Sequence, residues 1–160
     1  MRYPLTFYVS GFPLRSWQAG AAAGPVILIR KGYEADEGLY QHELGHVEQS
    51  ALFAFVGMIL LPFLLAGFPQ FTYWPILWGA LAGWIASGIA YKFIWRYRLY
   101  SEAQCYARQM RFKDRHGEFL TLSKAAARLM LPQYKLGLTV DQAEAEISHQ
   151  REVASIWGPD

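Results

Sequence analysis

Only one cysteine, Cys105, occurs among the 160 residues. It can support neither a disulfide framework nor a cysteine-rich zinc knuckle. Net charge is also scarce: a formal +2 is too small to point to nucleic acid, and no nucleic-acid partner is expected. The N-terminal stretch has no clean apolar core of signal-peptide length, being interrupted by Pro4, Pro13 and Arg15, so export by a cleaved leader is not expected. No internal repeat is present. The length suits one domain.

The largest absence is local. From Gln49 through Tyr91, 43 consecutive residues contain no Asp, Glu, Lys, Arg or His. As helix that run spans about 64 Å, enough for two crossings of a hydrocarbon core of about 30 Å. Gly67, Pro69 and Pro75 place a turn near its middle. The small residues Gly79, Ala82, Gly83, Ala86, Gly88 and Ala90 would let two helices approach closely. Trp74, Tyr91, Trp95, Tyr97 and Tyr100 fall at interface depths. The reading is an apolar helical hairpin over residues 51–95, inserted in a membrane. The competing reading is a buried hairpin in a soluble core, or a surface covered by a partner; a soluble two-helix layer this long normally needs a polar stripe.

What is present is a pentapeptide, His42-Glu43-Leu44-Gly45-His46. Residues four apart on a helix share a face, so His42 and His46 can offer imidazole nitrogens to one zinc ion. Glu43, beside the first of them, is placed to act as general base on a water that zinc acidifies. In a chain of this composition the pattern arises by chance about 0.005 times. Asp36 or Glu37 suits the helix start, and Leu39, Tyr40, Leu44, Val47 and Ala51 recur at helical spacing. Gly45 costs helix propensity and suits close packing of another backbone beneath the metal. Glu48 needs solvent or a partner. Upstream, Leu5 to Val9 and Val26 to Ile29 read as short strands, the second placed to hold an extended peptide by edge pairing.

Beyond the apolar run, Lys92, Arg96, Arg98, Arg108, Arg111, Lys113 and Arg115 form a basic stretch on a helical pattern, which puts both hairpin ends on the cytoplasmic side. Ser123 to Leu131 reads as a helix ended by Pro132. Thr139 to Gln142 reads as a capping box, before a stripe of Val140, Ala143, Ile147 and Ala154. The acidic second helix argues against a DNA-binding helix-turn-helix.

Two histidines and a water leave zinc one ligand short. A third histidine on the metzincin spacing would fall at Leu52, which excludes that class. Glu102 is the leading candidate, because a hairpin returns the chain to its starting point. Its alternative role is a surface pair with Arg98. His116, His149 and Glu118 compete as ligands, and Cys105 reads more simply as a small buried side chain. Tyr106, Tyr100 and His149 are candidates for stabilising an oxyanion.

The order of H-E-x-x-H, apolar hairpin and Glu-bearing helix, over Leu39 to Met110, resembles the gluzincin zinc endopeptidases, in particular the membrane heat-shock and CAAX-prenyl peptidases. The resemblance implies His42, His46 and Glu102 as zinc ligands and Glu43 as catalytic base. Where that family usually carries Asp four residues after its Glu ligand, this chain has Tyr106. The expected fold is mainly α with a small N-terminal β element. One zincin-like domain spans 1–160, its H-E-x-x-H helix and Glu-ligand helix joined by the apolar hairpin. The expected function is a zinc-dependent peptidase or hydrolase at a membrane surface, its catalytic side cytoplasmic, with a peptide or protein substrate and lipid as partners. The alternative is a non-catalytic zinc-binding structural or membrane-assembly protein, such as a virion component, that retains the shell.

Overall fold

The computed structural model describes residues 4–65 and 74–157, with side chains described as far as residue 154. Within them the chain is mainly helical with a small sheet at its N-terminal end. Strands β1 (Leu5–Val9), β2 (Gly20–Ala23) and β3 (Val26–Arg30) precede helices α1 (Glu37–Leu65), α2 (Trp74–Phe93), α3 (Trp95–Gln109), α4 (Leu122–Leu129) and α5 (Val140–Trp157). A single 3-10 turn, Pro132–Tyr134, separates α4 from α5.

The sheet order is β1-β3-β2, with β1 parallel and β2 antiparallel to β3. β3 is therefore central, which corrects the expectation that Val26 to Ile29 offers a free edge. β1 and β2 are the edges, and the one beside Glu43 is β2, a strand that composition hid within a run of glycine and alanine. Gly24, at φ +56°, opens the two-residue turn from Ala23 to Val26, a conformation that glycine adopts without strain. Ile27 and Ile29 point from β3 onto Val47 of α1 and form one small core.

α1 begins where Asp36 accepts a hydrogen bond from the Leu39 amide at 2.7 Å, an N-cap that satisfies one orphan donor. The helix then runs unbroken through the H-E-x-x-H motif and into the apolar segment, so both lie on one rod. Pro62 lies inside it, where it can give no backbone N–H to the Met58 carbonyl one turn back. α2 returns alongside. Its buried positions are Pro75, Gly79, Gly83, Ser87 and Ala90, one seam of small residues at a spacing of four and three. A Cβ at Gly79 would lie 2.2 Å from the Gly57 carbonyl oxygen, and one at Gly83 2.2 Å from that of Phe53, so the two backbones touch directly. Gly88 differs from the expectation, having no such neighbour within 4 Å, and Ala82 and Ala86 face outward. Gly67 and Pro69 lie outside the described residues.

The remaining faces of this pair are apolar and exposed. Phe63 and Leu64 are 77% and 70% exposed, and Leu52, Phe55, Ile59, Leu77, Trp78 and Ile85 are exposed with them. Both helices are long and apolar enough to cross a membrane. A soluble core would have hidden these side chains.

α3 bridges the two halves. Its inner residues Ala103, Tyr106 and Ala107 pack with Ala125, Ala126 and Leu129 of α4 and Ala143 and Ile147 of α5 in the larger core. The capping box closes reciprocally: Thr139 Oγ1 accepts from the Gln142 amide at 3.3 Å and Gln142 Oε1 from the Thr139 amide at 3.0 Å. Of the expected α5 stripe, Ala143 and Ile147 are fully buried and Val140 is half exposed. The basic stretch is not one helical face. α3 ends at Gln109, and Arg111, Lys113 and Arg115 lie in the following loop.

Candidate metal centre

His42 and His46 lie one turn apart near the start of α1. The return of the chain through α2 sets α3 against that turn, and Glu102 points at both rings. Glu102 Oε2 is 3.5 Å from His42 Nε2, and Oε1 is 3.4 Å from His46 Nε2. The carboxylate is 2% exposed. The alternative pairing with Arg98 is not formed. Instead the Arg98 guanidinium donates to the carbonyls of Tyr91, Lys92 and Tyr134, at 2.8 Å for Tyr91 and 2.7 Å for Tyr134, tying the end of α2 to the 3-10 turn.

Two buried atoms at this point have no hydrogen-bond partner among the described residues: Glu102 Oε2 and His42 Nδ1. An orphaned oxygen on a buried carboxylate set between two imidazoles is expensive unless a cation completes it. Glu102 Oε1 is satisfied, accepting from the Tyr91 hydroxyl. Burial works to raise the Glu102 carboxyl, but the imidazoles of His46 and His42 outweigh it and hold it below the usual carboxylate range.

Cys105, one α3 turn on, is buried too. The donor atoms of His42, His46 and Cys105 all lie within 4.8 Å of one another, so this trio can also hold a metal ion. Its sulfur stands 3.6 Å from His46 Nδ1, the ring edge opposite Glu102. Burial pushes the thiol above its ordinary range, so without a metal it is a neutral, small, buried group. Gly45 exists for this sulfur: a Cβ there would stand 2.8 Å from it. The neighbour expected to be another backbone is instead this side chain, with the α3 backbone just behind it.

Glu43 is 6% exposed and lines a cleft of about 810 Å³ together with His42, His46 and Glu102. Burial pushes its carboxyl up, against the pull of His42 and His46, which moves it towards the range useful to a general base near neutral pH. β2 forms the wall beside it. A Cβ at Gly20 would meet Glu43 Oε1 at 2.8 Å, so the strand passes directly over the carboxylate.

Tyr106 packs its ring edge-on to His42 with centroids 4.6 Å apart, and its hydroxyl meets that of Tyr134 at 3.0 Å. Burial pushes both phenols up, so both remain protonated donors. Tyr100 is 44% exposed and outside the cleft lining, as is exposed His149 on α5. Neither reaches the site. His116 is exposed against Arg115, and Glu118 pairs with Lys124 at 3.8 Å; neither joins the histidines. Glu48 finds its partner in Arg108 at 2.5 Å. Tyr91 and Tyr134 had no motif to flag them; the return of the hairpin brings the first to the site, and the 3-10 turn after α4 brings the second.

Comparison with protein-family models, curated proteins and solved structures finds no match to this chain.

Proposed function

We propose that this protein is a zinc-dependent hydrolase of gluzincin type, acting on a peptide or protein substrate at a membrane surface. The observation that carries the reading is Glu102: a buried carboxylate, 56 positions beyond His46, within 3.5 Å of both imidazole Nε2 atoms and with one oxygen unpartnered. His42, His46 and Glu102 would hold the ion, the two-histidine, one-carboxylate set of catalytic zinc sites with an open fourth position. Zinc bound there supplies Lewis acidity to a substrate carbonyl and lowers the pKa of a water towards about 7. Glu43 is placed beside that position and would act as the general base for an attacking water and as the proton donor to the leaving amine. The Tyr106–Tyr134 hydroxyl pair, one donating to the other, leaves one O–H to offer to developing negative charge. The outer edge of β2 offers backbone groups to an extended chain laid across Glu43.

Exposed apolar side chains on α1 and α2 support a bilayer as the environment of the hairpin. Lys92 and Arg96 beside its end favour the cytoplasmic face for the site. The proximity of Cys105 favours one competing reading, a non-catalytic metal site built on His42, His46 and Cys105 that only rigidifies the fold.

Two measurements decide. Purified protein should contain near-stoichiometric zinc, lost in His46→Ala; folded protein that binds none removes the proposal. Glu43→Gln should keep metal and fold and abolish hydrolysis of a peptide panel. Equal behaviour of wild type and variant across that panel would leave the non-catalytic reading.

A further inference from the structure

The two donor sets that share His46 use opposite edges of its ring. Glu102 faces Nε2 at 3.4 Å, whereas Cys105 and Ser101 stand on the Nδ1 side at 3.6 and 3.2 Å. Only the nitrogen that lacks a proton can bind a metal, so the ring's tautomer selects between the sets.

We infer that Gln49 and Ser101 form a relay that fixes the His46 proton on Nδ1, presents Nε2 alone to the metal, and so excludes Cys105 as a ligand. This rests on the metal-centre reading above. The chain of donors runs in one direction only. Gln49 Nε2 lies 2.7 Å from Gln104 Oε1 and 3.4 Å from the Ser101 carbonyl oxygen. A carbonyl can only accept, so the amide nitrogen must occupy that side. Gln49 Oε1 is thereby turned to the Ser101 hydroxyl, 2.5 Å away, and an amide oxygen also only accepts. The hydroxyl has one proton, and it goes to Gln49. What Ser101 Oγ then offers His46 Nδ1 is a lone pair, and the ring must supply the N–H. Ser101 is 1% exposed, so no bulk water can replace the arrangement.

His46 keeps that Nδ1 proton whether the ring is neutral or cationic. In metal sites such outer partners are usually a carboxylate or a backbone carbonyl. Here a neutral serine is made a committed acceptor by the glutamine behind it. Gln49 lies three residues beyond His46 on α1, and Ser101 directly precedes Glu102 on α3. The relay therefore also ties the two ligand-bearing helices together at the metal.

The test uses full-length protein with ¹⁵N-labelled histidine, loaded with ¹¹³Cd as a spin-active substitute for zinc. The expected result is cadmium coupling to His46 Nε2, a retained proton on Nδ1, and a ¹¹³Cd shift in the range of nitrogen and oxygen ligands. Coupling to Nδ1, or a shift in the thiolate range, would overturn the inference. Ser101→Ala and Gln49→Leu should each weaken cadmium and zinc binding by about 10–100-fold, while Cys105→Ala stays within about twofold. Gln49→Leu keeps Ser101 in place and frees its hydroxyl to donate, so a packing role alone would leave the Nδ1 proton signal unchanged and refute the relay. A protein that takes up neither metal removes the metal-centre reading itself; metal held through Nδ1 or Cys105 removes only this inference.

Discussion

Placing alanine at Gly83 tests how α1 and α2 are joined. The new Cβ would stand 2.2 Å from the Phe53 carbonyl oxygen and 2.7 Å from the Ala54 Cα, where ordinary contact begins at 3.4 Å. Both neighbours are backbone, so no side chain can swing aside, and the helices must part by about 1.2 Å at this point. A gap of 0.5–1 Å already forfeits about a quarter to a half of the dispersion energy of facing atoms. Overpacking of this kind costs about 1–3 kcal/mol, against which alanine returns at most about 1 kcal/mol of helix propensity. Net destabilisation of about 1–2 kcal/mol is expected. Gly88, on the same helix, has no heavy atom within 4 Å of its Cβ position, so Gly88→Ala should be neutral or stabilising by up to about 1 kcal/mol. Reversible unfolding in detergent, followed by circular dichroism, measures both. A neutral Gly83→Ala, or two variants destabilised equally, would refute direct backbone contact along the seam. The wedge also acts at a distance. Tyr91 lies about 12 Å further along α2 and donates to Glu102, so Gly83→Ala should weaken metal binding as well.

Further outcomes follow from other contacts. Gly45→Ala drives a Cβ to 2.8 Å from the Cys105 sulfur and should cost about 1–3 kcal/mol; Cys105→Ala in the same chain should restore most of it, and a double-mutant cycle without coupling would refute the contact. Glu102→Gln should abolish tight zinc binding measured by competition with a chelator, whereas Glu118→Gln should not, because Glu118 is exposed beside Lys124. The Glu102 carboxyl is depressed in the fold, so its stabilisation is present above its ordinary value of 4.5 and is lost as pH falls below it. Chelator-treated wild type should accordingly lose stability below about pH 4.5 more steeply than Glu102→Gln, and parallel acid curves would sink that assignment. The protein should stay with membranes through high-salt and alkaline washing and require detergent for release; release by salt alone would mean that basic side chains hold it.

The helical class, the cap at Asp36 and the capping box at Thr139 were legible because each is local chemistry written within a few residues. The approach of Glu102 to the two histidines was legible for a different reason: a hairpin of two helices must bring its ends together, and only one carboxylate stood near the far end. The failures share a cause as well. β2 is four residues of glycine and alanine whose strand form is imposed by pairing with β3, and nothing in Gly20–Ala23 announces it. The basic stretch read as one helical pattern because charge was counted along the chain. In the fold Arg98 is consumed by backbone carbonyls, Arg108 by Glu48 and Gln41, and Arg115 by the Gly32 carbonyl and the Tyr33 ring. Tyr91, Tyr134, Ser101 and Gln49 belong to no motif, and their roles come only from what lies opposite them.

The metal and the membrane are separate hypotheses in the sequence, yet one rigid body joins them. His46 precedes the apolar stretch at Ala51 by about 7.5 Å of uninterrupted α1. Tyr91, the last residue of the uncharged run, reaches Glu102 from the other helix. The cleft is accordingly lined on one side by β2 and on the other by Trp84, Ser87 and Tyr91 of α2. On the proposed reading, an inserted hairpin fixes the depth of the site at the membrane boundary, because α1 cannot tilt without carrying both histidines with it. The seam glycines hold α2 at the separation at which Tyr91 meets Glu102. On that reading the hairpin would do more than anchor: it also places the Tyr91 hydroxyl on Glu102, the proposed third ligand. A chain with residues 51–95 removed should therefore lose tight zinc binding together with membrane attachment. Retention of full metal affinity by such a chain would show that the motif helix and α3 associate without it, and would separate the two functions again.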